Sequence, residues 1–158
     1  MNKFITPVSA ITLMLGAALT GCSECHESFA EFHNIEPRGW AYGDSISFIP
    51  TALDSTTVNR QLKVAIRHSN DFLYRSLWLE VSYPDNTGRQ HSDTVKLDLA
   101  DSYGRWLGKG LGPSFQIEGT ASRSVAIADS SVVNVRHIMR LDTLRGIEQV
   151  GITLTPVK

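Results

Sequence analysis

The chain has 158 residues, with 15 lysines and arginines against 16 aspartates and glutamates, and a formal charge of −1. That balance leaves no basic patch to displace counterions, which excludes a nucleic-acid partner. The length suits one domain with one core.

The first segment reads as a targeting signal. In "MNKFITPVSAITLMLGAALTGC", one early cation, Lys3, precedes an apolar run from Val8 to Leu19. The run is shorter than the roughly 20 apolar residues of a membrane span. A charged start, a short apolar region and small residues at its end make residues 1–21 a secretory signal peptide. Leu19-Thr20-Gly21-Cys22 matches the bacterial lipobox. Cleavage is expected between Gly21 and Cys22, with lipid on the Cys22 thiol. Stable anchoring then requires more than one acyl chain. A lipidated Cys22 leaves Cys25 without an internal disulfide partner, so the core must be held by apolar packing. Residues 22–37 are expected to form a lipidated N-terminus and tether, with a first short strand near Phe29 to Ile35. Cys25, His26 and His33 do not make a zinc site, because no second pair of ligands follows at the required spacing.

Residues 38–158 are expected to be the folded domain. Apolar residues alternate at Leu62, Val64 and Ile66; at Leu77, Leu79, Val81 and Tyr83; and at Val95, Leu97 and Leu99. They alternate again at Val133, Val135, Met139 and Leu141, and at Val150, Ile152 and Leu154. Period two over short runs marks half-buried strands. "SISFIP" and "SFQIEG" add two weaker ones. Turn residues separate the runs at Pro84–Gly88, in the glycine-rich stretch and at Arg145-Gly146. The pattern gives about eight strands, no amphipathic helix and one polar face per sheet. The expected fold is all-β, an antiparallel β-sandwich of immunoglobulin-like or jelly-roll type.

Several stretches resemble chemical motifs and fail on their details. "LADSYGRWLGKGLG" carries four glycines between Gly104 and Gly112. A phosphate loop needs Gly, four residues, then Gly-Lys-Ser/Thr. Here three residues separate Gly104 from Gly108-Lys109, and Gly110 stands where a hydroxyl is needed, so no nucleotide site is expected. The glycines are expected to supply positive-φ positions in a surface turn. Gly43-Asp44-Ser45 matches the start of one esterase class, whose serine needs a histidine from a late Asp-x-x-His. The residues three before each histidine are Ser23, Ala30, Ala65, Gly88 and Asn134, so that partner is missing. Asp98 and Asp101 build no calcium loop. His137 falls on an apolar face and reads as a hydrogen-bonded core or rim residue. No enzyme activity, cofactor or metal is expected. Trp40, Trp78 and Trp106 raise an alternative, because exposed tryptophans on a sandwich can stack on sugar rings.

Spread along the chain are the lipobox Cys22, Trp40 with Asp44, "LKVAIRHSNDFLYRSLWLEVSYP", "DTVKLDLADSYGRWLGKGLG" and "VRHIMRLDTLRGIEQVGITL". Together they resemble the gliding-motility lipoproteins of the GldH type, found in the Bacteroidota. The most specific stretch is Asn70 to Leu79, with its "N…Y…LWL". Next are Asp93-Thr94, then Leu99-Ala100-Asp101 leading to Gly104–Gly110. Met139-Arg140, Leu144, Gly146-Ile147 and Val150-Gly151 follow. The chain departs from the pattern in the polar "TASRSVAIADSS" and at His137, where a glutamine is expected. Glu24 and Glu27, just past Cys22, partly resemble the surface-export signal of Bacteroidota lipoproteins. The resemblance implies a lipoprotein held in the outer membrane, at the cell surface or in the inner membrane. It implies an accessory role in gliding and type IX secretion, acting through contacts with other envelope proteins. Arg105, Trp106 and Lys109 are the expected contact residues, because loops on a rigid scaffold carry binding functions. The alternative function is a glycan-binding envelope lipoprotein.

Overall fold

The computed structural model describes residues 28–157, except 52 and 54–57. Cleavage at Gly21, lipidation at Cys22 and the environment of Cys25 fall outside the described residues.

Eleven strands make up the described fold. They are β1 (Phe29–Asn34), β2 (Trp40–Ala41), β3 (Ile46–Phe48), β4 (Arg60–Ser69), β5 (Ser76–Pro84) and β6 (Gln90–Asp98). After them come β7 (Lys109–Leu111), β8 (Ser114–Val125), β9 (Val133–His137), β10 (Thr143–Leu144) and β11 (Ile147–Pro156). All pairings are antiparallel. One sheet has the order β1-β11-β4-β8-β7, a second β3-β9-β5-β6, and a two-stranded ribbon joins β10 to β2. The all-β sandwich expected from alternation is the observed class. Eight of its strands coincide with the expected ones. The additional β2, β7 and β10 are two or three residues long. A run that short carries no period to read.

The alternating positions do face inward. Leu62, Val64 and Ile66 of β4, Leu77, Leu79 and Val81 of β5, and Val150, Ile152 and Leu154 of β11 are fully buried. Each such side chain contributes roughly 1.5–3 kcal/mol by leaving water. One expectation is corrected. β9 ends at His137, so Met139 and Leu141 lie beyond it and are only partly buried. His137 itself completes the buried face with Val133 and Val135.

The two large sheets meet along both sides. On one side the His33 ring of β1 lies 4.8 Å from Phe48 of β3. On the other, Gly119 of β8 admits Leu97 and Val95 of β6, since a Cβ there would sit 2.4 and 2.8 Å from their methyl groups. β8 is therefore long but short of large apolar residues after Ile117. Its inner side is filled from the opposite sheet, which is why "SFQIEG" signalled only half of its twelve residues.

Candidate partner-contact site

Asp101 organises the glycine-rich loop. Its Oδ1 accepts hydrogen bonds from the backbone N–H groups of Tyr103 (2.8 Å) and Arg105 (2.9 Å). Its Oδ2 accepts one from the Arg105 Nε at 2.7 Å. The backbone N–H of Arg105, and secondarily its guanidinium, hold the Asp101 carboxyl below its usual range. The Leu107 N–H then donates to the Leu99 carbonyl at 2.8 Å, closing the loop beside an Ala100–Trp106 bridge. Arg105 spends its charge on Asp101 and lies 5.6 Å from the exposed Tyr103 ring.

The glycines divide into two physical roles, which corrects the single role expected for them. Gly104 and Gly112 have φ of 80° and 68°, where other residues are strained. Gly108 and Gly110 do not. They are small because β7 runs tight against β8. A Cβ on Gly108 would meet the Gln116 carbonyl oxygen at 2.6 Å, and one on Gly110 the Phe115 ring at 2.6 Å.

Trp106 is drawn inward. Its indole N–H donates to the Asn70 Oδ1 at 2.7 Å. Its ring lies 4.6 Å from His68 and 5.9 Å from Phe115. Next to it, Gly146 accepts a hydrogen bond from the Ser69 N–H and rests on Phe72. Asn70, the "GRW" loop and Gly146 are far apart in sequence, and one end of the five-stranded sheet brings them together.

His68 and His137 are both fully buried. The His68 Nδ1 bonds the Ser69 carbonyl at 2.9 Å, and among the described residues its Nε2 has no hydrogen-bond partner. The His137 Nε2 bonds the Trp40 carbonyl at 3.1 Å, and among the described residues its Nδ1 has no hydrogen-bond partner. Burial pushes both imidazoles below their ordinary pKa, although backbone carbonyls oppose this, as do Glu148 near His68 and Asp44 near His137. The unfolded chain takes up protons as pH falls below about 6.5, while the folded histidines resist. The fold is therefore expected to lose stability from about pH 6.5 downward. Glu80, Asp85, Asp98 and Asp101 have lowered pKa values and weaken the fold only in the more acidic carboxylate range. Thermal unfolding at about pH 7.5 and 5.5 checks this. His68→Gln with His137→Gln is expected to flatten the dependence, and an equally steep profile in that variant would refute the assignment.

A groove of about 690 Å³ opens beside the loop, lined by Leu107–Gly110 with Arg67, Ser114 and Gln116–Glu118. Lys109, Gln116 and Arg67 stand side by side across β7, β8 and β4. Arg67 donates to the Gln116 Oε1 at 3.1 Å. Of the three expected contact residues, only Lys109 lines this groove; Arg105 is held by Asp101 and Trp106 by Asn70. Arg67 was legible only as an outward position of β4. Its nearness to Lys109 depends on β8 lying between them.

The three tryptophans differ. Trp40 is 2% exposed, donates its N–H to the Asp44 carbonyl at 3.0 Å and packs edge-on to His137. Trp78 is 43% exposed on the outer face of β5, paired across strands with Lys96. Trp106 is half-buried. A sugar platform of all three is thereby corrected: burial removes Trp40. Ser45 sits in the turn between β2 and β3, near a second groove of about 360 Å³. The four described histidines bond Glu31, Ser69, Asp85 and Trp40 instead of Ser45.

The sequence matches the GldH lipoprotein family over residues 27–154. It is 29% identical over 134 residues to a protein of Christiangramia forsetii named "Gliding motility lipoprotein GldH homolog", covering 78% of this chain and 80% of that one. No solved structure matches. The family match spans the whole sandwich, from before β1 into β11, and takes in the loop, the Trp106–Asn70 contact and the groove. The chain belongs to the GldH lipoprotein family.

Proposed function

We propose that this chain is a non-enzymatic lipoprotein, anchored to the cell envelope by acyl chains on Cys22. It serves gliding motility and the associated type IX secretion machinery through contacts with other envelope proteins. Family membership supports the process. The observation that carries the contact mechanism is the groove beside the glycine-rich loop, where Lys109 and Arg67 project from a rigid sheet. Cys22→Ser is expected to leave the precursor uncleaved at Gly21 and without acyl label. Deletion is expected to impair gliding and the release of type IX cargo. Unchanged processing in the first experiment refutes the anchor, and normal gliding and secretion in the second refute the role.

Exposed Trp78 favours a second reading, glycan binding by the outer face of β5. A glycan array with Trp78→Ala separates the two readings. A hit lost in that variant favours the second.

A further inference from the structure

We infer that the groove takes an extended acidic segment of a partner protein, added as a strand along the open edge of β8. The inference rests on the protein-contact reading above.

The first observation is the edge. β7 pairs with only Ser114, Phe115 and Gln116 of β8, although β8 runs on to Val125. Among the described residues, no strand pairs with Ile117–Val125 on that side. Unpaired backbone N–H and C=O groups on a sheet edge are a template for another strand. The groove lies at the notch beside the first residue of β7, between Gly108 and Glu118.

The second observation is charge. Lys109 is exposed, and among the described residues neither it nor Arg67 has an ion pair, Arg67 donating to the neutral Gln116. Among the described residues lining the groove, Glu118 is the one carboxylate, and it faces Lys63 at 3.7 Å. Two uncompensated cations beside an open edge select carboxylates, and the guanidinium fork suits them best.

The chain's own acidic leader is a poor occupant. Phe29 in β1 is level with Leu154, Leu62 and Ser122 across the sheet. Gln116 lies six residues further along β8, about 20 Å, and three strands across, about 14 Å. Glu24 precedes Phe29 by five residues, a reach of about 18 Å at most. A lipid on Cys22 would hold the domain by the end of the sheet where Ser122 lies, about 20 Å along β8 from Arg67 and Lys109, leaving the two cations open to a partner.

The test uses the detergent-solubilised full chain and ten-residue synthetic peptides of alternating valine and glutamate, with lysine and glutamine versions. A further glutamate peptide carries N-methyl groups on alternate amides. The glutamate peptide is expected to bind, to weaken with salt, and to slow amide exchange at Ile117–Ser124. Arg67→Gln with Lys109→Gln is expected to weaken it about tenfold. The N-methyl and lysine peptides are expected to fail. Equal binding of the glutamate and lysine peptides, full binding of the N-methyl peptide, or no binding overturns the proposal. So does edge-to-edge dimerisation of the chain that protects the same amides. If deletion stops gliding while the double variant glides normally, the groove assignment fails and the contact reading stands.

Discussion

Trp40→Ala is expected to lower the unfolding free energy by about 3–5 kcal/mol. Trp106→Ala is expected to cost about half as much, and Trp78→Ala less than about 0.5 kcal/mol. The residue type is constant, so the gradient measures surroundings. Trp40 lies in the core, its ring against His137 and its N–H on the Asp44 carbonyl. Its removal leaves a cavity, and the backbone ribbon pairing Trp40 with Leu144 limits collapse. Trp106 loses the contact with His68 and Phe115 and leaves the Asn70 amide unpaired, but water reaches part of the site. Trp106→Phe keeps most of the ring contact and loses only the hydrogen bond, at about 1 kcal/mol. Urea unfolding of the four variants checks the order. Equal losses at Trp78 and Trp40 would overturn the packing described here.

Gly119→Val is expected to cost about 3 kcal/mol, the upper end of the usual overpacking range. A Cβ at this position would lie 2.4 Å from Leu97 and 2.8 Å from Val95, both buried in the facing sheet. Neither methyl group can swing into solvent, so β6 must move away from β8. That movement opens the core along one whole side of the sandwich. Gly43→Ala is the control, since nothing lies within 4 Å of a Cβ there. A neutral Gly119→Val would mean that the sheets are not in close contact at this point.

Both experiments probe features that the sequence left undecided for a definite reason. Alternation is a local property of the chain. It placed Leu62, Val64 and Ile66, or Leu77, Leu79 and Val81, on the faces that the structure buries. A glycine is ambiguous by comparison. Gly104 and Gly110 look alike in "GRWLGKG", yet one turns the chain and the other makes room for Phe115. Only the partner strand distinguishes them. The same holds for tryptophan. Trp78 alternates with apolar neighbours and so falls on the face opposite Leu77 and Leu79, which only the structure shows to be exposed, whereas Trp40 and Trp106 lie outside long strands and carry no period.

The candidate site was half legible. The loop was marked by its glycines and by its resemblance to one family, and Lys109 by its charge within it. Arg67 joins Lys109 only because β8 registers Gln116 between them. Asn70 meets Trp106 across a separation of 36 residues. By itself the sequence determined the all-β class, the inward faces of β4, β5, β6 and β11, and membership of a lipoprotein family, since each is written in spacing or in residue identity along the chain. The tertiary structure decided which tryptophans are buried, why each glycine is small, which cations have no carboxylate partner among the described residues and where β8 is left unpaired on one side. Those depend on contacts between segments distant in sequence, and such contacts exist only once the sheets have paired and packed.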